Sequence, residues 1–150
     1  VSKAFTKDDR PDEPLVVTRR ASLPEGVPNY VTGRWMRLLR EQLAGASGTE
    51  RAELERRIAA AVLAPAPADR GEIRFGARVT LRSDDDQVRT VQIVGVDEAE
   101  PAAGLIAFVA PMARALLGHR SGDTVTVRAP GGADELAVTA VEYDETADSR

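Results

Sequence analysis

The chain contains no cysteine, a single histidine, only six aromatic residues and no long apolar run. Without cysteine there is no disulfide, no thiolate nucleophile and no zinc–cysteine site. The lone histidine, His119, excludes a two-histidine metal site within one chain. A Ser/His/Asp triad would have to use it, yet neither a Gly-x-Ser-x-Gly elbow nor an oxyanion loop accompanies it. Its place just after Gly118 reads as a surface position near helix carbonyls. No apolar run approaches the roughly 20 residues of a membrane-spanning helix, and the opening residues are polar rather than signal-like. The expectation is a soluble cytoplasmic protein with no membrane partner and no cofactor.

What is present is a divided charge. Residues 1–70 carry 12 Lys+Arg against 10 Asp+Glu, and residues 71–150 carry 8 against 14. Affinity for nucleic acid comes largely from neutralising phosphates, so the acidic half suits a basic protein surface better. The arginines of the first half read as solvated helix faces, with nucleic acid near them only indirectly, through a partner. A chain of 150 residues, 43% hydrophobic, can bury one modest core, or a small domain with an appendage.

Four prolines, Pro11, Pro14, Pro24 and Pro28, make residues 1–28 an extended, flexible arm, in which Leu15-Val16-Val17 could dock on a sheet edge. Helical spacing follows. Val31, Trp35, Leu38, Leu39 and Leu43 share one face, and Leu54, Ile58, Ala61 and Val62 form a second. The glycines of Ala44-Gly45-Ala46-Ser47-Gly48-Thr49 break the two runs into an antiparallel hairpin. Pro65 and Pro67 close it, so that residues 29–68 are a hairpin with its linker.

Beyond residue 68 the period changes to two: Ile73, Phe75, Ala77, Val79 and Leu81 alternate, as do Val125, Val127 and Ala129, and Leu136, Val138 and Ala140. Asp84-Asp85-Asp86 and Pro130-Gly131-Gly132 read as hairpin tips, the former solvated rather than cation-binding. Pro111 opens a short helix ended by Gly118. The class is α+β: an antiparallel helical hairpin, then an antiparallel sheet domain over residues 69–150 packed on one short helix, with a loose tail from Asp144.

Several of these blocks also carry a family resemblance. Phe75-Gly76-Ala77-Arg78-Val79-Thr80-Leu81, Ile93-Val94-Gly95-Val96-Asp97-Glu98-Ala99, Ala110 to Gly118 and Gly122 to Gly132, in that order, closely resemble the C-terminal domain of the bacterial Gre transcript-cleavage factors. Ser2 to Asp9 and Pro28-Asn29-Tyr30-Val31-Thr32 are similar to the GreB branch. The resemblance implies an FKBP-like fold and binding of bacterial RNA polymerase at the rim of its secondary channel. It also implies that the helix holding Pro111, Met112, Arg114 and Ala115 makes the contact, with Leu116 turned inward. Asp97 and Glu98 lie nearby in sequence as acids for a basic partner. Val109-Ala110 departs from the family's polar pair before the proline.

In cleavage-competent Gre factors a long N-terminal coiled coil carries paired acids that help to hold a catalytic magnesium. Here each helix has about 13 to 15 residues, about 20 Å, roughly half the family's length, and the tip motif is absent. The tip residues are Ser47, Gly48, Glu50 and Glu53. Ser47-Gly48-Thr49-Glu50 fits a capping box, which is favoured over metal ligation. An FKBP-like fold invites a prolyl-isomerase reading, but scattered aromatics leave little for an aromatic pocket, and fold does not imply function. The preferred reading is a non-enzymatic Gre-family regulator with a hairpin abbreviated as in Rnk. The alternatives are a cleavage factor using Glu50 or Glu53, and an interaction module that has left polymerase.

Overall fold

The computed structural model describes residues 22–129 and 131–144. The Leu15-Val16-Val17 segment and the tail beyond Asp144 lie outside the described residues.

Thr32 begins the first helix: its backbone is extended and its hydroxyl accepts the Trp35 amide at 3.1 Å, satisfying one of the free donors of the first turn. Helix α1 (Gly33–Ala44) then packs antiparallel to α2 (Gly48–Ala60). Met36, Leu39 and Leu54 are buried, with Trp35, Leu43 and Ile58 half-buried. Leu38, expected in the seam, is exposed, and Met36 takes its place. Each helix has one helical neighbour, so the buried stripe is narrow; positions 36, 39 and 43 keep the three-and-four spacing, whereas Leu38 is turned about 100° from Leu39.

The base of the hairpin is closed by a feature the helical periodicity concealed. Tyr30–Val31 (β1) and Val62–Leu63 (β2) pair in parallel, with Tyr30 opposite Val62 and Val31 opposite Leu63. Val62, read from sequence as part of the helical seam, is a strand residue exposed to solvent. β-branching at Val62 favours that extended state.

The remaining strands form one curled sheet in the order β5-β4-β3-β7-β6, from Arg78–Ser83 (β3), Val88–Val94 (β4), Leu105–Ala107 (β5), Thr124–Ala129 (β6) and Gly132–Glu142 (β7). The sheet is mixed, not wholly antiparallel: β5 runs parallel to β4, with Gln92 opposite Leu105. Residues 95–104 carry the chain back through a single turn of 3-10 helix (Pro101–Ala103) and a left-handed Gly104. At three residues, β5 is too short for alternation to announce it. The Asp84 to Asp86 tip does join β3 to β4, with Asp86 left-handed.

One face of the sheet is the core. Val79, Leu81, Val91, Ile93, Val125, Val127, Leu136 and Val138 line it, and Ala113 and Leu116 of helix α3 (Pro111–Leu116) cover it. Opposite face positions such as Arg82, Thr90 and Thr126 are exposed, the outcome of a period-two pattern on a half-buried sheet.

Candidate partner-binding surface

Helix α3 is short because its ends are specified. Pro111 occupies the first turn, where no backbone donor is needed, and Gly118 adopts φ +91 just past the end. Six residues give less than two turns, so the buried side is fixed by Ala113 and Leu116, both fully buried. Pro111 and Arg114 therefore face solvent. Met112 and Ala115 are half-buried, packed against the edge of the core. Arg89, from β4, brings its guanidinium to the Met112 sulfur at 3.6 Å. Pro111, Met112, Arg114 and Ala115 thus form one continuous surface, an apolar centre flanked by two guanidinium groups, a mixture suited to protein contact.

Of the two acids assigned to this surface from sequence, Glu98 lies elsewhere. Asp97 is half-buried, and Glu98 is buried with its side chain only 3% exposed. Its carboxylate accepts the Thr32 hydroxyl at 2.7 Å and the Arg34 guanidinium at 2.6 and 3.2 Å. Both partners belong to the start of α1. Glu98 is therefore an internal link between sheet domain and hairpin, and a partner cannot reach it.

At the tip, Ser47 precedes α2, but its side chain makes no capping hydrogen bond, so the expected capping box does not form. Gly48 enters the helix at φ +61, a left-handed step. Instead Arg51 reaches back to the Leu43 carbonyl at 3.2 Å. Glu50 is exposed, and Glu53 is engaged by Arg56 and Arg57. Among the described residues no group of three or more His, Cys, Asp or Glu side chains forms a metal site.

His119 lies at the surface, its Nδ1 3.1 Å from Asp123. The Asp123 carboxylate also accepts the Arg120 amide, and these bonds hold it below the usual carboxylate range. Neighbouring Arg120 pairs with Asp69, lowering that carboxyl and raising the guanidinium. Tyr143 donates to the Glu72 carbonyl and accepts the Arg74 amide, and burial pushes its phenol up. Together with the Glu72–Arg120 bridge, these contacts stitch the end of the linker to the sheet.

Three of the aromatics are not scattered. Tyr30, Phe75 and Phe108 converge with ring centroids 5.4 to 5.9 Å apart in tilted and edge-to-face contacts, where the base of the hairpin meets the sheet. A cavity of about 290 Å³ opens beside them, lined by Thr32, Leu63, Pro65, Pro67, Phe75 and Tyr143 among others. The Tyr143 phenol is already committed to the backbone, and Asp144 also lines the cavity. Gly95 lies at the same junction: a Cβ there would sit 2.2 Å from the Tyr30 carbonyl oxygen. A glycine inside a strand-like apolar run was the available sign of such a close approach.

Known proteins supply the context. The transcription elongation factor GreA of Ruegeria pomeroyi is 47% identical over 74 residues, 49% of this chain and 47% of that protein. The transcription elongation factor GreB of Neisseria meningitidis serogroup B is 42% identical over 72 residues, 48% and 44%. The crystal structure of GreA factor homolog 1 (Gfh1) of Thermus thermophilus aligns with a TM-score of 0.45 at 25% identity, covering 73% of this chain and 90% of that one. The chain spans about half the length of the two elongation factors. The C-terminal domain of the transcription elongation factors GreA and GreB matches residues 67–143, which include β3 to β7 and α3. Half of the chain lies within that match, and the chain belongs to the GreA/GreB family.

Proposed function

We propose that this protein is a regulator that binds bacterial RNA polymerase at the rim of its secondary channel through the α3 surface, and that it does not itself stimulate transcript cleavage. Family membership supports the partner, since transcription elongation is the stated role of the relatives. The composition of the α3 face, Pro111, Met112, Arg114 and Ala115 with Arg89 alongside, supports the mode of contact. The observation that carries the second half is the hairpin tip. With 12 residues at 1.5 Å each, α1 extends about 18 Å, and the turn Gly45-Ala46-Ser47 bears no carboxylate. Without acids on a deeply delivered tip, magnesium receives no additional oxygen ligands, so docking is separated from chemistry.

The test is a backtracked polymerase complex supplied with an active Gre factor. Adding this protein should slow cleavage in a concentration-dependent way, and Arg114→Glu should weaken that competition by about tenfold or more while leaving the fold intact. Cleavage stimulated by the protein alone, and lost in Glu50→Ala or Glu53→Ala, would refute the non-cleaving assignment. Absence of competition would refute polymerase docking and favour a different partner, in keeping with the apolar Val109-Ala110 before the docking helix.

A further inference from the structure

The structure assigns to Glu98 a positioning role: with Thr32 and Arg34 it sets the direction in which the helical hairpin leaves the sheet domain, and so where the tip points relative to α3. Its consequence for transcription rests on the function proposed above, but the geometry does not.

Glu98 is anchored on the sheet side. It follows β4 in a turn closed by its own amide on the Gly95 carbonyl at 3.1 Å, and its side chain is almost wholly enclosed. Both carboxylate oxygens are directed at the hairpin: one takes the Thr32 hydroxyl, the other the Arg34 guanidinium. Thr32 is also the residue whose oxygen caps α1. One carboxylate is thus coupled through a single hydroxyl to the first turn of the helix, where negative charge is favoured. Swinging the hairpin away would strand a buried carboxylate without its hydroxyl and its cation, a costly state.

The pair is asymmetric in a way that fits positioning. Arg34 is about half exposed and reaches in from the surface, whereas the acid is the enclosed member. The Gly95 contact with Tyr30 and the Tyr30–Phe75–Phe108 cluster hold the base against the sheet. Neither acts on α1 itself; Thr32 and Arg34 do. Angular error grows with distance from the base: a swing of about 20° moves the far end of α1, about 18 Å away, by about 6 Å.

The absence of cysteine makes the measurement direct. Ser47→Cys at the tip and Thr90→Cys, at an exposed position of β4, each spin-labelled in the full chain, report the tip-to-sheet distance by pulsed electron resonance. The parent pair should give one narrow distribution, and Glu98→Ala should shift or broaden it by about 6 Å. Glu98→Gln, which keeps an oxygen for Thr32 but no charge for Arg34, should fall between, as should Arg34→Met. Amide exchange of β3 and β7 checks that the sheet stays folded. A parent-like distribution in Glu98→Ala overturns the proposal. If Glu98→Ala unfolds the sheet, Glu98→Gln and Arg34→Met decide instead, and parent-like distances in both overturn it. These distances are read on the free protein, so loss of polymerase binding refutes the proposed function without touching this inference. With polymerase, Glu98→Gln should retain the docking affinity of α3 and therefore its competition with an active Gre factor.

Discussion

Replacing Gly95 with alanine tests the junction by adding a single methyl group. The new Cβ would lie 2.2 Å from the Tyr30 carbonyl oxygen, 3.3 Å from its carbon and 3.6 Å from the Val31 Cα. Ordinary carbon–oxygen contacts begin near 3.3 Å, so one backbone must retreat by about 1 Å. Gly95 does not have a positive φ, so alanine brings no conformational strain of its own and the effect is steric. Overpacking of this kind costs about 1–3 kcal/mol, and the upper half is expected because the obstacle is backbone rather than a rotatable side chain. With a urea dependence of about 2 kcal/mol per molar, the midpoint should fall by about 1 M. Trp35, the only tryptophan, lies on α1 and reports the hairpin, while far-UV circular dichroism reports the whole fold. If the hairpin base retreats, the Trp35 transition moves to lower urea ahead of the dichroism and two-state behaviour is lost. If the Gly95 turn retreats instead, both curves move together. Unchanged midpoints on both probes would refute the steric argument.

Tyr143→Phe removes the hydrogen bond to the Glu72 carbonyl and the acceptor for the Arg74 amide; a loss of about 1 kcal/mol, or roughly 2–4 °C in Tm by calorimetry, is expected, and an unchanged Tm would show that the phenol does not fasten the linker. Asp69 is held below its ordinary value of 3.8, chiefly by its hydrogen bond to Arg120. A depressed folded pKa stabilises above the unfolded value and loses that contribution as pH falls through the folded one. Asp69→Asn should therefore flatten the decline of Tm below about pH 4, and wild-type and variant curves that run parallel there would count against the Asp69–Arg120 pair.

The parts of this fold that could be read from sequence are those in which one period persists. Alternation over Ala77 to Leu81 and Leu136 to Val138 placed the core face, and Pro111 with Gly118 bounded helix α3, because these signals depend on neighbours in the chain. The hairpin was legible for the same reason, as two apolar runs separated by glycines. What escaped was set by contacts remote in sequence. The parallel pairing of β1 with β2 joins residues 30–31 to 62–63, and β5 is held against β4 by only three residues. Six aromatics looked dispersed along the chain, yet the topology brings Tyr30, Phe75 and Phe108 together. Ser47 and Glu50 had the spacing of a capping box, but Ser47 makes no cap bond, and the residue between them, Gly48, is left-handed.

Glu98 shows how a charge count can mislead about a binding face. The acidic balance of residues 71–150 suggested a basic partner, with Asp97 and Glu98 as its contacts. Burial of Glu98 against Thr32 and Arg34 removes it from any docking surface, and the charges flanking Met112 are the guanidinium groups of Arg89 and Arg114. Electrostatic complementarity is decided by groups within about a Debye length of the contact, about 8 Å at physiological salt, rather than by the net charge of the domain. The guanidinium groups of Arg89 and Arg114 favour carboxylates on a partner of α3, and Asp85 and Asp134 line one cavity with Arg89. Raising salt should weaken the proposed docking through Arg89 and Arg114, and Arg114→Glu reverses the sign at the one charged residue of α3, which is exposed.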